Sequence, residues 1–248
     1  MSTTVFKRPE SLTQVEYTYC PGCGHGIVTT SVAKAIDDLG IKDQCIHVSC
    51  IGCGGLTPLF FDMDTILPMH GRAPATATGI KRIHPDKIVW TYQGDGDLAS
   101  IGTAEIVQAA HRGEKITTVF VNNATYGMTG GQMAPTTLVG QKTTTSPYGR
   151  DESHCGKPIR MSELLATIDG AKYIARVAID TPAHIRQAQK AIKRAFECQM
   201  KGLGFAMVEV LSTCPTNWGM TPADALKWQK DNMIPYYPLG VYKDKGAE

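Results

Sequence analysis

The sequence contains no long run of apolar residues. The longest runs, such as residues 205–208, fall far short of the roughly 18 residues that a membrane-spanning helix needs. Residues 1–10 also lack the apolar stretch of a secretion signal. We therefore expect a cytoplasmic protein without a membrane anchor.

An excess of charge of either sign is missing as well. The 25 Lys and Arg residues nearly balance the 23 Asp and Glu residues, which leaves a net charge of +2. Internal repeats, low-complexity stretches and long Pro/Gly/Ser linkers do not occur either. With 42% hydrophobic residues, the composition disfavours collagenous, disordered and strongly nucleic-acid-binding proteins. It favours one continuous globular domain with a full core.

Cysteine, in contrast, is plentiful. Eight cysteines would suggest a disulfide framework in a short secreted chain. A chain of 248 residues without a secretion signal can build its core without disulfides. We therefore expect these cysteines to bind metal or to stay reduced.

Segments rich in β-branched residues alternate along the chain with segments of helical periodicity. This alternation predicts an α/β fold, in which a mostly parallel sheet carries helices on both faces. Such folds bind ligands at the carboxyl ends of their strands. The predicted strands are residues 45–49, 87–92, 116–122, 173–179 and 205–211, and the predicted helices are residues 27–39, 99–111 and 183–201.

Two long segments fall outside this alternation. Residues 123–161 are rich in Gly and Thr, and residues 214–248 are rich in Pro and aromatic residues. Long ordered loops are often functional. We predict a ligand-binding α/β domain of residues 1–213, followed by a tail of residues 214–248 that packs on this domain or on a partner subunit.

A motif suited to phosphate and metal binding follows one predicted strand. Residues 94–97 read Gly-Asp-Gly-Asp, and 25 residues separate the second glycine from the Asn-Asn pair at 122–123. Glycines let the backbone approach a phosphate, and the next helix offers free N–H groups. Asp95 and Asn123 provide oxygen ligands of the kind that Mg²⁺ prefers. A tight turn with a helix cap is the alternative, whereas a dinucleotide site is disfavoured because its third glycine, Gly102, comes too late.

Two Cys-x-x-Cys pairs could bring four thiolates to one metal centre. Cys20 and Cys23 form the first pair, and Cys50 and Cys53 form the second, with 26 residues between the pairs. The gap is longer than in most zinc ribbons, and a ribbon has no helix between its two pairs. The spacing alone nevertheless leaves a zinc site open.

The Gly-Asp-Gly and Asn-Asn motifs together resemble the signature of thiamine-diphosphate enzymes. The segments GDGDLASIG at 94–102 and YGMTGGQ at 126–132, together with the Asn-Asn pair, resemble more specifically the β subunit of 2-oxoacid:ferredoxin oxidoreductases. The resemblance covers nearly the whole chain, from Cys20 to about Thr216. It implies a thiamine-diphosphate-binding fold for residues 1–213.

This resemblance also implies which residues hold the cofactor and its metal ion. Mg²⁺ would be bound by Asp95, by the side chain of Asn123 and by the main-chain oxygen of Thr125. Gly94 and Gly96 would face the diphosphate.

Other segments that resemble the family would line the cofactor pocket. These are residues 70–74 and 78–79, together with Cys53 and Met128. His70 is the candidate catalytic residue, with a structural hydrogen bond as the alternative. Met128 would lie near the thiazolium ring, unless it only fills space.

The family places a [4Fe–4S] cluster on four cysteines. Four thiolates fit such a cluster as well as they fit zinc, so the resemblance alone favours the cluster. Cys50 stands where the family usually has glycine, which makes it a spare thiol or a rival ligand. Cys45 and Cys198 are expected in the core, and Cys155 stays unassigned. The implied ligands are Cys20, Cys23, Cys53 and Cys214.

The reaction implied by the resemblance is the oxidative decarboxylation of a 2-oxoacid. Coenzyme A would receive the acyl group, CO₂ would leave, and electrons would pass through the cluster to ferredoxin. A separate α-type subunit would supply a glutamate, so this chain would carry half of an active site. Leu56 stands where pyruvate-type relatives often have a lysine, which is compatible with 2-oxoisovalerate or 2-oxoglutarate as the substrate.

Two other functions remain open at this point. A non-redox thiamine-diphosphate decarboxylase subunit would share the motifs from Gly94 to Asn123 but would not need the four cysteines. A zinc-ribbon interaction protein would need the cysteines but not Asp95 together with Asn123. Only the ferredoxin-linked oxidoreductase uses both sets of residues.

Overall fold

The structure, a computed structural model, describes residues 7–246 of the chain. Three predictions lie partly outside the described residues. The absence of a secretion signal and the start of the predicted domain 1–213 involve residues 1–6, and the end of the predicted tail 214–248 involves residues 247–248. The strands are β1 (Cys45–Val48), β2 (Asp64–Ile66), β3 (Ile88–Gly94), β4 (Thr117–Asn122), β5 (Ala171–Ala178), β6 (Phe205–Leu211) and β7 (Gly240–Asp244).

These strands form one sheet in the order β2-β1-β3-β4-β6-β5-β7. All neighbours are parallel except β7, which runs antiparallel along β5. Every residue of β4 and β6 is buried, because helices cover both faces of the sheet centre. The predicted α/β fold with a mostly parallel sheet is therefore confirmed.

Helices α1 and α6 pack together on one face of the sheet, and α2, α3 and α5 cover the other. Thr181 caps α6 through its side chain, and Pro182 occupies the first turn, where no N–H is needed. Every helix within residues 7–246 is too short or too polar to cross a membrane. The helices are α1 (His25–Leu39), α2 (Ala73–Ile83), α3 (Thr103–His111), α4 (Glu152–Cys155), α5 (Met161–Ala166), α6 (Pro182–Met200), α7 (Pro215–Trp218), α8 (Pro222–Trp228) and α9 (Ile234–Tyr236).

All five predicted strands are present, with ends shifted by at most two residues. The three predicted helices correspond to α1, α3 and α6, although a π-helical turn, Asp97–Ile101, replaces the predicted start of α3. The pattern does not predict β2, α2 or β7. β2 has only three residues, β7 lies at an exposed edge, and the first seven residues of α2 are Ala, Pro, Thr and Gly, without a large apolar side chain.

The C-terminal residues pack on the same sheet. Trp218 and Trp228 lie 4.7 Å apart between ring centroids and cover a small core cluster that contains buried Tyr237. β7 then pairs with β5 and extends the sheet. The predicted division at residue 213 stays a prediction.

The strand order decides where the chemistry-bearing loops meet. β1, β3, β4 and β6 are neighbours and parallel, so their carboxyl ends lie along one edge of the sheet. The loops that follow them carry Cys53, Asp95, Asn123 and Cys214 respectively. Residues that are far apart in the sequence are thereby brought to one edge.

Candidate functional site

A cavity of about 220 Å³ opens at the carboxyl ends of β3 and β4. The residues predicted to bind the cofactor all line it, and so does the candidate catalytic residue. The structure thus brings these side chains together, while their roles stay predictions. They are Cys53, His70, Gly94, Asp95, Gly96, Asn123, Thr125 and Met128.

Asp95 is the buried acid of this cavity, with 3% of its surface exposed. Its Oδ2 accepts hydrogen bonds from Thr136 Oγ1 at 2.8 Å and from the Thr125 N–H at 3.1 Å, and its Oδ1 accepts from the Gly96 N–H at 3.0 Å. Burial raises the pKa of Asp95 to about 7, and these hydrogen bonds only partly oppose that effect. A cation beside Asp95 would restore its charge.

The oxygen ligands predicted for Mg²⁺ converge beside Asp95. In one orientation of the Asn123 amide, Nδ2 donates to Asp95 Oδ2 at 3.3 Å and to the main-chain oxygen of Thr125 at 2.8 Å. In the other orientation the amide oxygen faces these two oxygens, an arrangement that a cation between them would stabilise. The donor set of one carboxylate, one amide oxygen and one main-chain oxygen fits Mg²⁺.

Ala124 bends the chain between Asn123 and Thr125. Its φ is 56°, and it is the only non-glycine residue with positive φ within residues 7–246. Such a conformation costs on the order of 1–3 kcal/mol. Hydrogen bonds hold it on both sides: its N–H donates to Asn122 Oδ1 at 3.1 Å, and its oxygen accepts from Thr137 Oγ1 at 2.7 Å.

The space for a diphosphate is left by glycine. A Cβ atom on Gly94 would have no neighbour within 4 Å, so it would project into open space. Glycine at this position leaves that space free for a ligand. A Cβ atom on Gly96 would lie 2.9 Å from the Tyr126 ring. The helical turn that begins at Asp97 adds the N–H groups of a helix start, which favour phosphate.

His70 is anchored by a second buried acid. Its Nδ1 lies 2.7 Å from Oδ1 of Asp97, which also accepts from the Gly71 N–H at 2.9 Å. The His70 side chain is 42% exposed and lines the cavity, so both its catalytic and its structural interpretation stay open. The other residues at 70–74 and 78–79 do not line the cavity, since most of them begin or continue α2.

Sequence reasoning missed His25 as a cavity residue. It is buried at the start of α1, its Nδ1 lies 2.9 Å from the Tyr92 hydroxyl, and its ring stacks on Tyr19 at 5.2 Å. Burial lowers the pKa of His25 to about 4, so the ring is neutral at physiological pH. The only sequence signal is its place two residues after Cys23.

A second cavity, of about 380 Å³, adjoins the first. Cys53 stands in the wall between the two, as do Asn123, Gly127 and Met128. Leu56, which stands where pyruvate-type relatives often have a lysine, lines this second cavity and not the first. All four cysteines predicted as cluster ligands line it, namely Cys20, Cys23, Cys53 and Cys214.

The four thiols predicted as cluster ligands line one cavity. Within residues 7–246, no three Cys, His, Asp or Glu side chains converge closely enough to hold a single metal ion. A zinc site would need four ligand atoms at about 2.0–2.3 Å from one point. The four cysteines instead line a cavity, and the group that they would bind there stays a prediction.

Burial keeps the thiols of Cys23, Cys53 and Cys214 protonated in the absence of metal. It raises the pKa of Cys23 to about 11 and that of Cys53 to about 12. It also raises the pKa of Cys214, although Asn217 Nδ2 donates to Cys214 Sγ at 3.3 Å and opposes the shift. Metal binding at this site would therefore release protons.

Close contacts join the two loops that carry the outer cysteines. Thr213 Oγ1 donates to the main-chain oxygen of Gly22 at 2.9 Å. A Cβ atom on Gly24 would lie 2.2 Å from Ser212 Oγ, so only glycine allows this approach. The Cys20–Cys23 loop is thereby fixed against the end of β6.

The remaining cysteines lie away from this cavity. Cys50 is buried and does not line it, which separates Cys50 from the predicted ligands. Cys45 and Cys198 belong to the hydrophobic core, as predicted. Cys155 is exposed at the end of α4.

Comparison with known proteins shows the family to which the chain belongs. The family model of the thiamine pyrophosphate enzyme, C-terminal TPP binding domain, matches residues 52–210. A solved structure of 2-oxoglutarate:ferredoxin oxidoreductase from Magnetococcus marinus, with 2-oxoglutarate, coenzyme A and succinyl-CoA bound, superimposes with a TM-score of 0.83 and 29% identity. The match covers 98% of this chain and 87% of that chain.

Two curated relatives are more similar in sequence. Ketoisovalerate oxidoreductase subunit VorA of Methanothermobacter thermautotrophicus is 46% identical over 100% of this chain and 54% of its own length. 2-Oxoglutarate synthase subunit KorB of Methanocaldococcus jannaschii is 41% identical over 95% of this chain and 84% of its own length. The chain thus spans about half the length of the VorA relative. It belongs to the thiamine pyrophosphate enzymes and, within them, to the β subunits of 2-oxoacid:ferredoxin oxidoreductases.

Proposed function

We propose that this chain is the cofactor- and cluster-binding half of an enzyme that oxidises a 2-oxoacid with coenzyme A to acyl-CoA and CO₂ and passes the electrons to ferredoxin. The observation that carries the proposal is the wall shared by the two cavities. Cys53, Gly127 and Met128 line both, so a group in one cavity would lie next to a group in the other. A non-redox decarboxylase has no use for such a neighbour.

Thiamine diphosphate would occupy the first cavity with Mg²⁺. Asp95, the Asn123 side chain and the main-chain oxygen of Thr125 would hold the metal ion, and Gly94 and Gly96 would face the diphosphate. When bound, the cofactor supplies the nucleophile and the electron sink for decarboxylation. The contribution of this chain is to bind and orient it.

A [4Fe–4S] cluster would occupy the second cavity. Its ligands would be the four cysteines that line this cavity, namely Cys20, Cys23, Cys53 and Cys214. A zinc-ribbon interaction module is disfavoured, because it would need neither the Asp95 site nor cysteines arranged around a cavity.

A second domain would complete the active site. The acidic side chains among the described residues that line the first cavity are Asp95 and Asp97, and no glutamate is among them. We assign the glutamate that assists the aminopyrimidine to an α-type subunit. A ferredoxin, or a ferredoxin-like subunit, would take the electrons.

The cavity lining favours an apolar 2-oxoacid. Ile51, Ile101 and Met128 line the first cavity, and the described lining contains no Lys or Arg that could bind a second carboxylate. A branched-chain substrate such as 2-oxoisovalerate therefore suits this chain better than 2-oxoglutarate. The 46% identity to a ketoisovalerate oxidoreductase subunit supports the same choice.

The test is an anaerobic purification of the chain with its partner subunits. We expect a brown protein that contains iron, sulfide and thiamine diphosphate. It should reduce a low-potential dye with 2-oxoisovalerate and coenzyme A faster than with 2-oxoglutarate or pyruvate. A colourless complex that releases CO₂ without reducing the dye would instead identify a non-redox decarboxylase.

A further inference from the structure

We propose that Glu209 is a positioning residue of the Mg²⁺ loop and acts through Asn122. The inference rests on the proposed function, because it concerns the same metal site. Glu209 lies on β6 and does not line either cavity. It nevertheless connects to residues 123–125 by an unbroken chain of hydrogen bonds.

The Glu209 carboxylate is fully buried at the centre of the sheet and has both oxygens engaged. Oε1 accepts from Asn122 Nδ2 at 2.8 Å. Oε2 accepts from Arg176 Nε at 2.9 Å and from Ser162 Oγ at 2.6 Å. The carboxylate therefore has one orientation, and it presents a fixed acceptor to Asn122.

This acceptor fixes the orientation of the Asn122 amide. Because Nδ2 must face Glu209, Oδ1 faces the other way and accepts from the Ala124 N–H at 3.1 Å. Ala124 is the residue with positive φ between Asn123 and Thr125. The Asn122 amide thus holds Ala124, the strained residue of the turn. This turn directs the other two proposed Mg²⁺ ligands, Asn123 and Thr125, toward Asp95.

Arg176 connects this network to the C-terminal segment. Its side chain is fully buried, and Nη1 donates to the main-chain oxygen of Pro238 at 3.2 Å and to the Tyr242 hydroxyl at 2.5 Å. Nη1 also donates to Glu163 at 2.9 Å. β7 and the residues before it therefore help to fix Glu209, and through it the metal loop.

Stability alone does not account for these residues. Apolar side chains of similar volume can replace a buried ion pair at no loss of stability. What apolar side chains cannot do is to fix the direction of the Asn122 amide. Orientation of the metal loop is therefore the specific contribution of Glu209.

The test is a Mg²⁺ titration of thiamine diphosphate binding to the full chain carrying Glu209→Gln. The neutral amide cannot accept from Asn122, Arg176 and Ser162 together, so the Asn122 amide loses its fixed direction. Changes to residues that orient metal ligands cost about 10- to 100-fold in affinity. We expect the Mg²⁺ concentration at half-maximal binding of thiamine diphosphate to rise at least about tenfold. Calorimetry measures this concentration. The fluorescence of Trp218 offers a second readout, because its Nε1 donates to the main-chain oxygen of Asn123.

The matched control is Glu114→Gln. Glu114 is also a buried carboxylate, it pairs with Arg82 and Arg112, and it precedes β4, at the end of that strand opposite to the metal loop. This variant should lose thermal stability but keep the wild-type Mg²⁺ requirement. A role of Glu209 in stability alone would give the same result for both variants.

Asn122→Ala is the second test. It tests whether the Asn122 amide orients the Mg²⁺ loop even if Glu209→Gln does not fold. It removes the amide but leaves the Arg176–Glu209 pair in place, and the same increase in Mg²⁺ requirement is expected. Wild-type Mg²⁺ dependence in a folded Asn122→Ala variant would overturn the inference. Failure of the wild-type chain to bind thiamine diphosphate with Mg²⁺ would instead overturn the proposed function.

Discussion

A single carboxylate, that of Asp95, sets the charge of the cofactor cavity. Burial raises its pKa to about 7, so the metal-free protein disfavours its ionised form. Asp95→Asn keeps the shape and removes the charge. We expect the variant to be at least as stable as the wild type in EDTA at pH 8, and to lose Mg²⁺-dependent binding of thiamine diphosphate.

Two measurements check this expectation, thermal unfolding in EDTA and calorimetric titration with thiamine diphosphate and Mg²⁺. Binding at wild-type affinity would show that Asp95 does not hold the metal ion. A folded variant without binding would support the assignment.

The cysteines give a second prediction for individual residues. Cys214→Ser should lower the iron and sulfide content of anaerobically purified protein, because Cys214 lines the second cavity. Cys198→Ser is the control, since this thiol belongs to α6 and lies in the hydrophobic core. Unchanged iron in the first variant, or loss of iron in the second, would contradict the ligand set.

At the scale of the elements, β1 contains a histidine that makes the fold sensitive to acid. His47 is buried, stacks on Trp90 at 4.3 Å, and its pKa is lowered to about 3 by burial. The unfolded chain binds a proton at this residue near pH 6.5, and the folded chain does not. The contribution of neutral His47 to the free energy of unfolding is therefore fully present above pH 6.5, and it is lost as the pH falls from 6.5 toward the lowered pKa of the folded state.

We expect the free energy of unfolding to fall by up to about 1.4 kcal/mol per pH unit below pH 6.5 because of His47. Urea unfolding at pH 7.5, 6.0 and 5.0 should show a weaker pH dependence for His47→Gln than for the wild type. His154→Gln, at an exposed position of α4, serves as the control and should keep the wild-type slope. Equal slopes for His47→Gln and wild type would contradict the expected proton linkage.

The length and burial of each strand explain which parts of the fold the sequence could predict. Long buried strands such as β4 and β6 have continuous apolar and β-branched runs, and a parallel sheet aligns their carboxyl ends. The meeting of Asp95, Asn123 and the cysteines was therefore predictable. β2 is too short to give a pattern, and the antiparallel β7 depends on pairing with β5 rather than on its own residues.

The partners of the site residues could not be predicted in this way. Thr136 donates to Asp95, and the position of its loop depends on buried Arg150, whose Nη1 donates to the main-chain oxygens of Ala134, Pro135 and Thr137. No local pattern encodes such long-range contacts. They arise only after the sheet has formed.

At the scale of the whole molecule, we expect this chain alone to bind thiamine diphosphate without turning over substrate. The described lining of the cavity provides no glutamate for the aminopyrimidine end of the cofactor. Positioning effects are worth about 7–11 kcal/mol in favourable cases, so loss of half a site should cost many decades of rate.

The measurement is coenzyme-A-dependent dye reduction by the chain alone, loaded with Mg²⁺, thiamine diphosphate and cluster, against the complex with its partner. Turnover comparable to that of the complex would mean that this chain supplies the missing acid itself. The assignment of a separate α-type subunit would then be wrong.

The contact between Thr213 and Gly22 has a consequence for biosynthesis. These residues are 191 positions apart, and β6 must insert between β4 and β5 before the loop after it reaches the N-terminal cysteines. Contacts between such distant residues form slowly, because closing the long loop between them costs conformational entropy. During synthesis, Cys20 and Cys23 leave the ribosome long before Cys214, so the four-thiol cavity exists only once the sheet is complete. We therefore expect the proposed cluster to be inserted after folding rather than to guide it.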